Sequence, residues 1–201
     1  MSTPFTPSRR LRLLIVSAMA LGLAACGLSG PPPTLYVLGQ PQSVATAAPL
    51  GGDRPVIEIK PVRVSDYLDT TDLVVRGPDR IIPSQQGRWA ERLSVGVQRA
   101  LAASLGARLP GLILTTQPPI DRPARQLLVD VSGFEAIEGG SVILTARWTI
   151  ADGASRQSVV SNGAQVTVPL TTAGDAGVVQ AMSKAVDELA GHIAPGLSNA
   201  R

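Results

Sequence analysis

Four features of this 201-residue chain could carry chemistry: one cysteine, a spaced run of aspartates, one histidine, and two aromatics set among charged residues. Cys26 closes the segment Leu23-Ala24-Ala25-Cys26, and its thiol could serve as a nucleophile, a metal ligand, a disulfide half or the acceptor of a covalent group. The run Asp66-x-x-Asp69-x-x-Asp72 would gather carboxylates on one helix face, as a cation site or a catalytic pair requires. Pro61, Thr70 and Thr71 instead favour loop or extended chain there, where aspartates make Asx turns. The run also lacks the dense ligand pattern of a calcium loop. His192 falls in the last turn of the terminal predicted helix, where a cation suits the helix dipole. As a general base it would need a nucleophile, and the chain has neither a Gly-x-Ser-x-Gly elbow nor an identifiable Ser-His-Asp set. Zinc would need a His/Cys cluster that is absent from the sequence. ATP hydrolysis would need a glycine-rich phosphate loop, and none is written. The expectation is no catalytic residue, no metal and no resident cofactor.

The residues before Cys26 decide what becomes of its thiol. Arg9, Arg10 and Arg12 give a basic start, Leu11 to Leu23 is apolar, and the small residues Ala24 and Ala25 stand before the cysteine. This resembles a bacterial lipobox, with residues 1–25 as a signal peptide and Leu23, Ala24 and Ala25 as the signal-peptidase recognition residues. The apolar stretch is about half of the ~20 residues that span a bilayer, so a retained transmembrane helix is not expected. Cys26 would then become the mature N-terminus, carrying thioether-linked diacylglycerol and an N-acyl chain such as palmitate. Gly27 rather than aspartate stands next to it, and resemblance to Gram-negative sorting rules implies transfer to the outer membrane, facing the periplasm.

The three arginines before Cys26 account for the whole excess of 18 basic over 15 acidic residues. The mature chain is electrically balanced and poor in aromatics, which excludes the basic field that nucleic-acid binding needs. With no second cysteine there is no disulfide, so the fold rests on packing. The length left suits one domain with a real core. The assignment is residues 1–25 signal, 26–34 lipidated tether, 35–195 domain, and 196–201 tail. Pro31-Pro32-Pro33 gives the tether a stiff polyproline stretch, and Pro41 to Asp53 reads as a long loop.

The elements that must position everything else are about seven strands and two helices. Leu35 to Leu38 is a short strand, and in Pro55 to Val62 the alternation sets Ile57 and Ile59 inward and Glu58 and Lys60 outward. Leu73–Arg76 and Arg80–Ile82 form a hairpin about Gly77-Pro78-Asp79. Trp89 to Arg108 is predicted helical, with a stripe of Trp89, Leu93, Val97, Leu101 and Leu105 and Gly106 as its stop. Leu112 to Thr116 comes next as a strand. Leu127–Val131 with a bulge near Gly133, Val142–Ile150, and Arg156–Val168 broken near Asn162-Gly163 make an antiparallel meander. Thr172 to Ala190 is the last helix, closed by Gly191 and Pro195. The prediction is an α+β fold, a mainly antiparallel sheet packed against two amphipathic helices, each covering a sheet face, as one domain behind an N-terminal lipid anchor.

Tyr67 has two readings the sequence does not separate: a ring packed over a strand end, or an exposed anchor for a partner. Trp89 reads as a core anchor, with partner binding as its alternative, and Trp148 reads as core.

The order of these pieces resembles the PqiC/YmbA-like family of ABC-type transport auxiliary lipoproteins. Cys26, Tyr36-Val37-Leu38, Asp66-Tyr67-Leu68-Asp69, Leu73-Val74-Val75-Arg76, Arg88-Trp89-Ala90-Glu91-Arg92-Leu93, Phe134-Glu135 and Trp148 carry the match over the mature chain. Ser65 departs from it, standing where the family pattern has proline. The resemblance implies a non-enzymatic subunit docking an MCE-domain protein and its ABC permease and ATPase at the outer membrane. It leaves open phospholipid contact and homo-oligomer formation. Asp66, Tyr67, Leu68, Asp69 and Trp89 become the candidate partner-binding residues. The alternative function is a lipoprotein that binds and carries a lipid itself.

Overall fold

A computed structural model of the chain describes residues 31–39, 54–137 and 140–198, and the fold is that of the unit Pro33–Arg201. The signal segment, Cys26, the 41–53 loop, Glu138, Gly139 and residues 199–201 lie outside the described residues. Among the described residues nine strands form one sheet: β1 Thr34–Tyr36, β2 Val56–Ile59, β3 Arg63–Val64, β4 Asp72–Arg76, β5 Ile81–Trp89, β6 Ile113–Thr115, β7 Arg125–Ile137, β8 Ser141–Asp152 and β9 Ser158–Pro169. The described residues also form two helices, α1 Leu93–Arg108 and α2 Gly174–Ser198.

The long ladders are antiparallel: β7 with β8, β8 with β9, and the β4–β5 hairpin. Along its other edge β7 is flanked in turn by β2, β3 and β4, all parallel to it and each joined by two or three residue pairs. β6 extends the sheet beyond β2, and β1 beyond β5. A register shift between Val131 and Gly133 marks the expected bulge in β7. The fold is therefore α+β, as the periodicities predict, with the sheet mostly antiparallel by residues paired.

Alternation explains which face is covered. Leu127, Val129, Val131, Phe134 and Ala136 of β7 and Val142, Leu144, Ala146, Trp148 and Ile150 of β8 all turn inward and are buried. Val97, Leu101 and Leu105 of α1 and Met182, Val186, Leu189, Ile193 and Leu197 of α2 close over them at helical spacing. Both helices pack on this face and on each other, so one hydrophobic core results, and among the described residues the opposite sheet face carries no helix. Across the helix pair, Arg108 grips Asp187 with two parallel hydrogen bonds of 2.7 and 2.8 Å, and the Ser104 hydroxyl donates to the same carboxylate. No helix among the described residues is long and apolar enough to cross a membrane.

Several boundaries depart from the sequence reading. Trp89 ends strand β5, its residue paired with Tyr36, and α1 begins only at Leu93. The indole is nonetheless core, at 4 % exposure, because the strand delivers it inward just before the helix starts. Gly106 lies inside α1, where flanking Leu105 is fully buried and tertiary packing outweighs the cost of a helical glycine. The strand β9 runs unbroken through Asn162 and Gly163. A Cβ at Gly163 would sit 3.2 Å from the Ala146 carbonyl oxygen, so the missing side chain permits close pairing rather than a break. Helix α2 continues past Gly191 and through Pro195 to Ser198. Proline in the last turns forfeits one hydrogen bond, while Ile193 and Leu197 on either side are fully buried. Residues 196–198 thus continue the helix. The two-residue β3 has no periodicity of its own to reveal it.

Candidate functional site

The Ser65–Thr71 segment joins β3 to β4 along the edge of β7, and backbone geometry fixes it. The Ser65 amide donates to the Val131 carbonyl at 3.1 Å, and its own carbonyl accepts from Leu68 and Asp69 at 2.8 and 3.1 Å. A proline at position 65 would lack that amide, so serine here permits a tie to β7. Leu68 turns into the core and is 1 % exposed.

Asp69 does structural work at a distance. Its Oδ1 accepts the Ser94 amide at 2.9 Å and its Oδ2 accepts Arg92 Nε at 3.1 Å. Helix α1 has no cap of its own, since Arg92 at the N-cap makes no side-chain hydrogen bond there. The carboxylate from the loop supplies what a local Ser, Thr or Asp would otherwise give. Burial pushes the Asp69 carboxyl up, but the Ser94 and Arg92 hydrogen bonds outweigh it and hold the group below its ordinary range. Asp72 pairs with Arg88 at 3.2 Å, and Asp66 is exposed. The three aspartates therefore have three separate surroundings. Among the described residues no group of three or more His, Cys, Asp or Glu could hold a metal. His192 is exposed on α2, two turns before its end.

Tyr67 joins a polar network on the helix-free face. Its hydroxyl donates to Glu135 Oε1 at 2.7 Å and accepts from Arg76 Nη2 at 3.0 Å. Arg76 Nε also donates to Glu135 Oε1, at 2.7 Å, and the guanidinium lies 5.7 Å from the centre of the tyrosine ring. Glu135 is 5 % exposed, yet Tyr67 is 44 % exposed. Burial, then the Glu135 hydrogen bond, raises the Tyr67 phenol above its ordinary value. The Tyr67 hydroxyl is thus held by Glu135 and Arg76 while much of the residue stays exposed. Of the five candidate partner-binding residues, Asp66 and Tyr67 present side chains to solvent, Asp69 caps α1, and Leu68 and Trp89 are core.

The same face holds two adjoining clefts that sequence reasoning missed. One, of about 350 Å³, lies between the Pro118–Pro123 loop and the β8–β9 turn, with Glu58, Lys60 and Gln126 at its base. The other, of about 520 Å³, shares Lys60 and continues past Arg63, Asp130 and Arg147. Glu58 has the outward parity the alternation predicts but is only 5 % exposed. Lys60 Nζ and Gln126 Nε2 each donate to it at 2.8 Å, one to each oxygen. The Lys60 hydrogen bond holds its carboxyl below the ordinary range against the opposing effect of burial. A Cβ on Gly153 would lie 1.7 Å from the Pro123 carbonyl oxygen, so this glycine is what lets the turn and the loop meet. Nothing in local periodicity announces a contact between segments thirty residues apart.

Asp187 and Glu58, like Asp69, have carboxyls held low in the fold, Asp187 chiefly by the Arg108 hydrogen bonds. Groups of this kind add stability above their unfolded pKa and lose it as pH falls through the folded value. The domain is expected to melt at lower temperature as pH drops from about 5 toward 3. Asp187→Asn should flatten that dependence, which thermal melts at neutral and acid pH would check.

Comparison with known proteins matches residues 36–194 to the model of the family described as ABC-type transport auxiliary lipoprotein component. The intermembrane transport lipoprotein PqiC of Escherichia coli K12 is 28 % identical over 137 residues, covering 68 % of this chain and 72 % of that protein. The PqiC of Shigella flexneri matches to the same extent. Among solved structures, an uncharacterized protein superposes with a TM-score of 0.70 at 19 % identity, covering 83 % of this chain and 99 % of that one. A protein from Xanthomonas campestris does so with a TM-score of 0.58 at 17 % identity, covering 81 % and 90 %. These two show a shared fold.

Proposed function

This chain belongs to the family of ABC-type transport auxiliary lipoprotein components, and from that premise we propose that it is a non-enzymatic docking subunit. In this reading Cys26 carries diacylglycerol and an N-acyl chain and holds the domain on the inner leaflet of the outer membrane. The domain then receives an MCE-domain protein whose ABC permease and ATPase drive lipid movement between membranes. The similarity to lipoproteins named for intermembrane transport supports the assignment to such a system. The supply of energy falls to the partners.

The observation that carries the docking role is Tyr67. An aromatic residue 44 % exposed, with its hydroxyl held by a buried carboxylate, loses little freedom when a partner covers it, as suits a binding anchor. Helix-free sheet on one side and loop on the other leave it open to approach.

Tyr67→Ala is expected to reduce co-purification of the MCE-domain partner at least tenfold. Tyr67→Phe, which keeps the ring and loses the hydroxyl, should retain more of it. Both variants should melt within a few degrees of the parent, because Leu68 and Asp69, which tie the segment to the core and to α1, are untouched. Undiminished capture by Tyr67→Ala would remove this segment from the interface.

A further inference from the structure

The clefts on this face gather cations, whereas most arginines elsewhere in the domain, the exposed Arg80 apart, are engaged by carboxylates. Elsewhere Arg76, Arg88, Arg92, Arg99, Arg108 and Arg125 each hold a carboxylate. Lys60, Arg122 and Arg156 line the smaller cleft, opposed by Glu58 and Asp121. Lys60 neutralises Glu58 at 2.8 Å; Arg156 reaches Glu58 only through its charge, with no hydrogen bond or close ion pair among the described residues, and the Arg122 guanidinium has neither there. In the adjoining cleft Arg63 is paired with Asp130 at 2.9 Å, and the Arg147 guanidinium is likewise unpartnered among the described residues. Positive charge thus exceeds negative in two adjoining hollows, although the residues after Cys26 balance as a whole.

The turn that carries Arg156 is built at a cost. Arg156 has φ of 58°, the left-handed region that side chains other than glycine avoid. The Asp152 carboxylate secures that turn by accepting the Ala154 and Ser155 amides at 3.0 and 2.9 Å. Across the cleft, Arg122 rides on a loop bounded by Pro118, Pro119 and Pro123, which restricts its backbone.

We propose that this cleft binds a phosphate group carried on a small ligand, a phosphomonoester or phosphodiester, between Arg122 and Arg156 with Lys60 at its base. A volume of about 350 Å³ admits a headgroup-sized molecule. In the ion pairs elsewhere one cation meets one carboxylate, while a phosphate offers more acceptor oxygens and engages several cations at once. The Arg147 cleft leaves room for whatever the phosphate is esterified to.

The experiment is calorimetric titration of the full protein in detergent with inorganic phosphate, glycerol 3-phosphate and dihexanoylphosphatidylglycerol, each also against an Arg122→Ala/Arg156→Ala double variant. Saturable binding of a phosphate compound, weakened at least tenfold in a variant whose melting is unchanged, is the expected result. Equal affinity for all three compounds would identify the phosphate itself as the ligand. At least tenfold tighter binding of the phosphatidylglycerol would identify a lipid headgroup. The proposal is overturned if none of the three binds, or if binding survives the double substitution. The site is separate from Tyr67, so either one can fail while the other stands.

Discussion

A Cys26→Ser variant is expected to lose its place in the membrane fraction, either released as soluble protein or accumulated uncleaved at precursor size. The magnitude comes from the acyl chains. Each buried CH2 contributes about 0.8 kcal/mol, a single chain anchors only marginally, and two signals suffice for stable attachment. A diacylglycerol plus an N-acyl chain exceeds that threshold, so residence is expected to be all or none. Serine cannot form the thioether, and no second cysteine exists in the chain to substitute for it. No described helix could replace the anchor by crossing the bilayer. Fractionation of cells expressing each version, with mass spectrometry of the N-terminal peptide, checks this. Unchanged fractionation at mature size would rule out lipid anchoring.

Phe134→Ala should be the most damaging of single core truncations. Phe134 is fully buried and sits just past the β7 bulge, where the strand turns its apolar side back toward the helices. Removing a buried phenyl costs about 3–5 kcal/mol, because the lost transfer free energy is joined by that of a cavity the surroundings only partly fill. Domains of this kind are stable by only about 5–15 kcal/mol in total. Urea denaturation should therefore show a midpoint lowered by a large fraction of its starting value, with the slope kept. Neighbouring Glu135 points to the other face, so the loss would be one of packing. A shift smaller than about 1 kcal/mol would mean the sheet relaxes around the gap.

How much of the fold is legible in the chain depends on the range of the interaction. The β7–β8–β9 meander and the β4–β5 hairpin are readable, because period-two alternation and turn residues act over a few positions. The helix stripes are readable as well. Helix ends are not: α1 takes its cap from Asp69, twenty-five residues upstream of the amide it accepts, and α2 outruns Pro195 because Leu197 has a core to enter. Parity places Glu58 on the outer face, but its partner Gln126 there comes from β7, sixty-eight residues later. For the candidate site the composition of the Asp66–Asp69 segment draws attention, whereas the partners that divide it come from β4 and β7. Arg76 and Glu135 decide what Tyr67 does, and no spacing rule connects the three.

The place where β1 begins has a consequence for how partners are met. Thr34 lies eight residues beyond Cys26, and a leash of that length spans at most roughly 26–29 Å when fully drawn out. With Cys26 acylated, the domain cannot stray from the leaflet by more than about its own width. Its search becomes planar, a glide along the surface in place of diffusion through a volume. A protein arriving from the opposite membrane would then meet a receiver at fixed height, and weak contacts would be reinforced by high effective concentration rather than by tight affinity.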